Sequence, residues 1–183
     1  MHKQYETGRL QLRTIDCSCT DLVIDYYLRN KSFLEEWESA KDEAFYTREF
    51  QQEQLRNDLL RIESGDALRL WLFKKCEDQK IIGCIAFNNI VRGAFLSCHL
   101  GYKLDHEEAN RGYITEAVRK GIDIMFGEYG LHRIEANIMP RNKRSLRVAE
   151  KLGFYNEGLA YQYLKINGKW EDHIHMVLLN DKV

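Results

Sequence analysis

The chain has 183 residues, of which 44% are hydrophobic and 30% charged, and 27 basic residues against 28 acidic ones leave a formal net charge of −1. That balance suits one globular domain, residues 1–183, built around one sizeable core, and it excludes a disordered chain and any general electrostatic attraction to nucleic acid or membranes. The start, Met1 to Arg13, has no apolar stretch of the kind a signal peptide needs, and no run of about 18 apolar residues follows, so a cytoplasmic protein that spans no membrane is expected.

In chain order, Leu10, Leu12 and Thr14 alternate with polar neighbours and predict a first short strand. Cys19 to Arg29 and Phe33 to Trp37 read as two short helical pieces. Thr47 to Glu63 reads as a longer helix, capped by Thr47 and ended near Gly65. Leu68, Leu70 and Leu72 alternate with Arg69, Trp71 and Phe73 as a strand. Ile81 to Phe87 and Ala94 to Leu104 predict two more, with the turn between them marked by Asn88, Asn89 and Gly93.

From Gly112 the period changes to that of a helix, with Ile114, Ala117, Val118, Ile122, Met125 and Phe126 on one face. Ile134, Ala136 and Ile138 return to strand alternation. Leu146, Ala149 and Leu152 mark another helix, stopped by Gly153. Ala160 to Ile166 and Trp170 to Leu179 close the chain as a hairpin turning at Asn167-Gly168. The order predicts an α+β fold whose sheet is mostly antiparallel. One unit, from Leu100 through the helix to Met139, reads as a parallel crossover, where a ligand site is expected.

The five cysteines (Cys17, Cys19, Cys76, Cys84, Cys98) show no CxxC spacing, and Cys84 and Cys98 lie in apolar runs as small hydrophobes. Neither a disulfide nor a metal site is expected. His173 and His175 would share one face of a strand, with no third ligand evident nearby.

The stretch Ala109-Asn110-Arg111-Gly112-Tyr113-Ile114-Thr115-Glu116-Ala117 joins a strand to an amphipathic helix. Gly112 allows a ligand to approach the backbone, and the first helical N–H groups, reinforced by the helix dipole, suit a pyrophosphate. An ordinary helix start has the same look.

The order of elements, with this turn between the fourth strand and the third major helix, resembles the GNAT acetyltransferase superfamily, whose pyrophosphate loop follows Gln/Arg-x-x-Gly-x-Gly/Ala. The blocks His99 to Tyr102, Gly112 to Ala117, His132 to Asn137, Met139 to Ser145, Leu152 to Phe154, Glu157-Gly158, Tyr163 to Trp170 and Asp172-His173 resemble its RimJ/RimL group of protein N-terminal acetyltransferases. Thr7 to Leu12, Asn30, Phe33-Leu34 and Trp37 extend the likeness more loosely. Two positions depart from the loop pattern: Ala109 stands for Gln or Arg, and Ile114 for a small residue. Neither removes a backbone donor, and Arg111 is either a substitute cation or a solvated side chain.

The resemblance implies an acetyl-CoA-dependent N-acetyltransferase acting by direct attack in a ternary complex. It implies cofactor contacts at Tyr102, Lys103 and Leu104, at Ala109, Asn110, Arg111, Gly112, Tyr113, Ile114 and Thr115, and at Asn142 and Ser145. Ser145 would protonate the leaving thiolate, although it could also serve as a helix cap, and Asn142 could be a turn former. Leu164 stands where RimL-type relatives have a glutamate, so Glu157 and Asp172 are the candidates for the base, either of which could be a structural partner instead. Because an α-amine with a pKa of about 8 is already about one-tenth neutral at pH 7, a weak base suffices.

Phe33 and Trp37, with Phe45 and Tyr46 in the same Asn30 to Arg48 region, are expected to wall the acceptor site, or to be core. Arg141, Lys143, Arg144 and Arg147 form a basic cluster for the cofactor 3′-phosphate, for ribosomal RNA, or for solvent. The acceptor implied is a protein N-terminus, as on a ribosomal protein. A small-amine (polyamine or antibiotic) acetyltransferase and a non-catalytic acyl-CoA-binding or ribosome-associated module remain alternatives, as do a monomer and a homodimer.

Overall fold

The structure, a computed structural model, describes residues 3–183. Its strands are β1 (Gln4–Glu6), β2 (Leu10–Arg13), β3 (Leu68–Lys74), β4 (Glu77–Val91), β5 (Ser97–Leu104), β6 (Arg133–Ile138), β7 (Tyr155–Ile166) and β8 (Lys169–Leu179). Its α-helices are α1 (Thr20–Arg29), α2 (Lys31–Leu34), α3 (Arg48–Glu63), α4 (Tyr113–Gly127) and α5 (Lys143–Lys151). The strands form one sheet in the order β1-β2-β3-β4-β5-β6-β8-β7, antiparallel except for the parallel pair β5–β6. This is the α+β layout and the parallel crossover expected from the pattern. Among the described residues no helix is long and apolar enough to cross a membrane.

Helices cover both faces of the sheet, so β3 is buried on both sides: Leu68, Leu70 and Leu72 pack under α4 and α5, while Trp71 and Phe73 pack under α1 and α3. On the second face Tyr26, Tyr27, Phe45 and Trp71 meet edge to face, with ring centroids 4.8–6.1 Å apart. On the first face α4 buries Ala117, Val118, Ile122, Ile124 and Met125. Each large aliphatic side chain so buried contributes about 1.5–3 kcal/mol. Gly121 lets α4 lie close to β4, since a Cβ there would come within 2.7 Å of the Phe87 ring and 2.8 Å of Ile85 Cδ1.

Several boundaries differ from the sequence expectation, for local reasons. β1 was not foreseen, because three residues are too few to show a period; it is held by its pairing with β2, Tyr5 opposite Leu12. Thr14 lies just beyond β2, where its hydroxyl accepts from Lys3 N–H at 2.8 Å. Asn88 and Asn89 do not form the turn: β4 runs through them to Val91, with Asn89 at φ 52° where the β4–β5 register shifts. Consequently β5 begins at Ser97 rather than Ala94. Separately, β7 begins at Tyr155 rather than Ala160, where it pairs with Val177 of β8. The second helical piece covers Lys31–Leu34, which leaves Trp37 in the turn that follows.

Thr47 caps α3 by accepting from Phe50 N–H, and Gly153 ends α5 at φ +88°, both as the sequence indicated. Cys84 and Cys98 are buried in the core, and all five cysteines are free thiols.

Candidate active site

β5 and β6 pair only at Ser97–Arg133, Cys98–Ile134 and His99–Glu135. Beyond that point β5 stays with β4 as far as Leu104 opposite Gly83, while β6 stays with β8 as far as Ile138 opposite Ile174. The two halves of the sheet therefore part into a V. The inner edge of β5 from Leu100 to Leu104 and that of β6 from Ala136 to Ile138 lose their ladder partners there. Edges of this kind suit an extended ligand that carries its own amides.

The Gly112 turn opens onto the same end of β5. Gly112 sits at φ 80°, ψ 1°, a left-handed conformation that costs glycine little, and the first α4 bond made by the backbone is Glu116 N–H to Gly112 O at 3.1 Å. The N–H groups of Tyr113, Ile114 and Thr115 precede that first bond, at the positive end of a 15-residue helix. Ala109 is extended and Asn110 has φ 62°, completing the loop by backbone alone. The Arg111 guanidinium is 3.1 Å from buried Glu108, which also takes Lys74 Nζ at 2.5 Å. Arg111 is thus a cation tethered to Glu108 while still exposed to solvent.

A second cation at the turn escaped sequence reasoning. Arg9 Nη1 donates to Arg111 O at 2.9 Å, Arg9 Nε donates to Glu116 at 2.7 Å, and the guanidinium lies 4.4 Å from the Tyr113 ring centroid. Glu116 also accepts from Thr7 Oγ1 at 2.6 Å and from Arg9 N–H at 2.8 Å. Burial works to raise the Glu116 carboxyl, but these bonds outweigh it and hold it below its ordinary range. The strand start at Leu10 is so stapled to the first turn of α4.

Across the V, Ser145 Oγ donates to Tyr102 Oη at 2.7 Å, and Tyr102 Oη donates to Ser145 O at 2.9 Å. Burial pushes the Tyr102 hydroxyl up to about 12, against the opposing pull of Ser145, so it stays protonated at neutral pH. The helix cap is Asn142, not Ser145: Asn142 Oδ1 accepts Ser145 N–H at 3.1 Å. Asn142 thereby fixes the turn that presents the Ser145 hydroxyl.

Lys103 and Leu104 diverge. Leu104 packs against the α4 side of the core, whereas Lys103 Nζ reaches the opposite face, 2.5 Å from Glu38 Oε1 and 5.1 Å from the Tyr27 ring centroid. Only the backbone of Lys103 is therefore left to meet a ligand in the V. Glu38 also draws Lys41 to 3.9 Å, and Glu36 pairs with Arg141 at 3.2 Å.

Phe33 and Trp37 stand apart in their partners. The Phe33 ring lies 6.2 Å from the His106 ring just after β5, while Trp37 lies under the Arg141 guanidinium at 4.9 Å. Phe45 and Tyr46, and Phe33 with them, are partly buried against the cluster around α1, as the core reading had it. Arg141 is committed to Glu36 and Trp37, whereas Lys143, Arg144 and Arg147 are exposed and make no ion pair among the described residues.

Both candidate bases have partners. Glu157 is hydrogen-bonded to Arg133, at the closed end of the V, and that contact holds its carboxyl below the ordinary range. Asp172 Oδ1 accepts Gln162 N–H at 2.8 Å and so shapes the irregular stretch of β7.

Residues 9–155 match the model of the acetyltransferase (GNAT) domain family. The chain is 40% identical over 171 residues to a probable N-acetyltransferase of Bacillus subtilis, YjcK, covering 93% of this chain and 94% of that one. It is 37% identical over 168 residues to the ribosomal protein uS5-alanine N-acetyltransferase of Escherichia coli, covering 92% of this chain and 86% of that one. Among solved structures, the ribosomal-protein-S5-alanine acetyltransferase of Vibrio fischeri superimposes with a TM-score of 0.92 at 37% identity, over 98% of this chain and 97% of that one.

Proposed function

The chain belongs to the GNAT acetyltransferase family, and from that premise we propose that it transfers acetyl from acetyl-coenzyme A to the α-amine at a protein N-terminus. The observation that carries the reading is the parting of β5 from β6 beyond His99 and Glu135, beside the free N–H groups of the Gly112 turn. The open β5 edge from Leu100 to Leu104 would pair the pantetheine amides. The N–H groups of Tyr113, Ile114 and Thr115 would hold the pyrophosphate, as anions are held at helix N-termini. When bound, the cofactor supplies the acetyl thioester.

Within that cleft Ser145, backed by protonated Tyr102, is the donor for the departing thiolate. The acceptor lies on the face walled by the segment after α2. On that wall Glu38 is met by Lys103 and Lys41, and Glu36 by Arg141. Carboxylates so paired support a peptide over a polyamine, which would need uncompensated ones. The Escherichia coli relative is named for alanine on ribosomal protein uS5, so an N-terminal alanine of a ribosomal protein is the first acceptor to test.

The test is free-thiol release from acetyl-coenzyme A with Ala-, Ser- and Met-starting peptides and with small amines. Release with peptides alone is expected. Release with small amines alone would overturn the acceptor class, and none with any amine would overturn the enzyme reading.

A further inference from the structure

A second polar group of side chains lies on the opposite face of the sheet from Tyr102 and Ser145. Alternation along β5, β6 and β8 puts Cys98, Ile134, Ala136 and Met176 into the core beneath α4 and α5. It turns His99, Glu135, Asn137 and His175 to the other face, the face that Lys103 shares with Glu38. Glu135 is the last β6 residue paired to β5, and Asn137, directly opposite His175, is the first on that face beyond the parting. Asn137 and His175 therefore stand at the apex of the V, on the acceptor side.

Their hydrogen bonding is incomplete in one direction only. His175 Nδ1 is 3.0 Å from Glu135 Oε1. Glu135 is held ionised: burial works to raise its carboxyl, but hydrogen bonds from Arg133 and Asn137 outweigh it. A carboxylate accepts, so Nδ1 donates to Glu135, and in the neutral imidazole Nε2 is the acceptor. Asn137 turns its amide nitrogen to the same carboxylate, which leaves Oδ1 as its other end. His175 Nε2 and Asn137 Oδ1 are both buried and both without a hydrogen-bond partner. Two neighbouring acceptors without donors, beside a cleft that must receive an amine, lack what an amine brings.

We propose that His175 is the general base that takes the proton of the attacking amine, that Glu135 orients it, and that Asn137 Oδ1 accepts a second amine N–H. This rests on the acetyltransferase reading. The neutral amine's lone pair forms the new N–C bond as the C–S bond breaks. The amine proton passes to His175 Nε2, giving an imidazolium that faces Glu135, and the thiolate takes a proton from Ser145. The imidazolium then loses its proton to solvent and Ser145 regains one, so charge and protons balance. The other titratable groups facing His175 are His99 from β5, with Nε2 3.7 Å from Glu135, and Arg133, which ties Glu135 to Glu157 on β7. Tyr163 of β7 stands edge-on at 4.9 Å between centroids and also touches His173.

The experiment compares wild type, His175→Gln and His175→Ala with an alanine-starting peptide, reading kcat and the pH profile of kcat/KM. The expected result is a fall in kcat of about a hundredfold for His175→Gln, with the acid limb reduced to the single ionisation of the peptide amine and little change in the dissociation constant of coenzyme A. Added imidazole should restore at least about tenfold of the rate lost by His175→Ala. A His175→Gln enzyme within about twofold of wild type, with the same pH profile, overturns the proposal. Should both variants fail to bind coenzyme A, nitrogen NMR of wild type decides: a protonated Nδ1 on His175 supports the assignment, and a protonated Nε2 in the free enzyme overturns it. A wild type inactive with every amine would sink the acetyltransferase reading instead, so the two failures are distinct.

Discussion

Tyr102 and Ser145, forty-three positions apart, are joined twice, by the serine hydroxyl donating to the phenol at 2.7 Å and by the phenol donating to the serine carbonyl at 2.9 Å. The contact bridges β5 to the first turn of α5 across the open V, so both sides of the cleft are held by the pair that supplies its hydroxyls.

Removing either hydroxyl should therefore slow turnover without loosening the cofactor. Ser145→Ala is expected to lower kcat by about 10- to 100-fold, and Tyr102→Phe by about tenfold, each with the coenzyme A dissociation constant within about twofold. Because the two act as one unit, the double variant should be little worse than Ser145→Ala alone. Full additivity in the kinetic cycle would separate their roles.

Gly112→Ala and Gly121→Ala test the placement of α4 in different ways. At Gly112 the positive φ resists any side chain, with a cost of about 1 kcal/mol, and the main expected effect is a severalfold higher KM for acetyl-coenzyme A. At Gly121 the new Cβ would press on the Phe87 ring at 2.7 Å, and urea unfolding should show a loss of about 1–3 kcal/mol.

The Glu116 staple makes stability depend on pH. Its folded pKa lies below that of an ordinary glutamate, about 4.3, so its contribution is fully present above that pH and is lost as pH falls through the folded value. Glu116→Gln should be less stable than wild type by about 2 kcal/mol at pH 7, from the lost charge-assisted hydrogen bonds with Thr7 and Arg9. In thermal melts the gap should narrow as pH falls below about 4.3, the ordinary glutamate value. A gap that does not change with pH would mean the charge of Glu116 contributes nothing.

Trp37→Ala should affect the acceptor and not the donor. The indole is clasped by Arg141, which also holds Glu36, so truncation frees the segment after α2. A several-fold rise in KM for the peptide, with KM for acetyl-coenzyme A unchanged, is the expected steady-state result.

Much of this was written locally. Alternation at Leu10–Leu12, Leu68–Leu72 and Ile134–Ile138, helical spacing from Ile114 to Phe126, and stops at Gly65, Gly153 and Asn167-Gly168 depend on residues close in the chain, and they mark the elements correctly. The turn at Gly112 and the cap that presents Ser145 are local in the same sense. Where a local signal misled, as at Asn88 and Asn89, the residues do favour a turn, but pairing with β5, Asn88 opposite His99 and Val91 opposite Ser97, carries the strand through them.

What the sequence by itself determined was most of the elements, the family they compose and the glycine turn that opens α4. Only the tertiary structure decided where β5 leaves β6, that Arg9 reaches Glu116 across 107 positions, that Lys103 turns away from the cleft, and that Glu135 meets His175. The physical reason is that period and capping are properties of neighbouring residues, whereas these contacts depend on the sheet order and register that bring distant strands side by side.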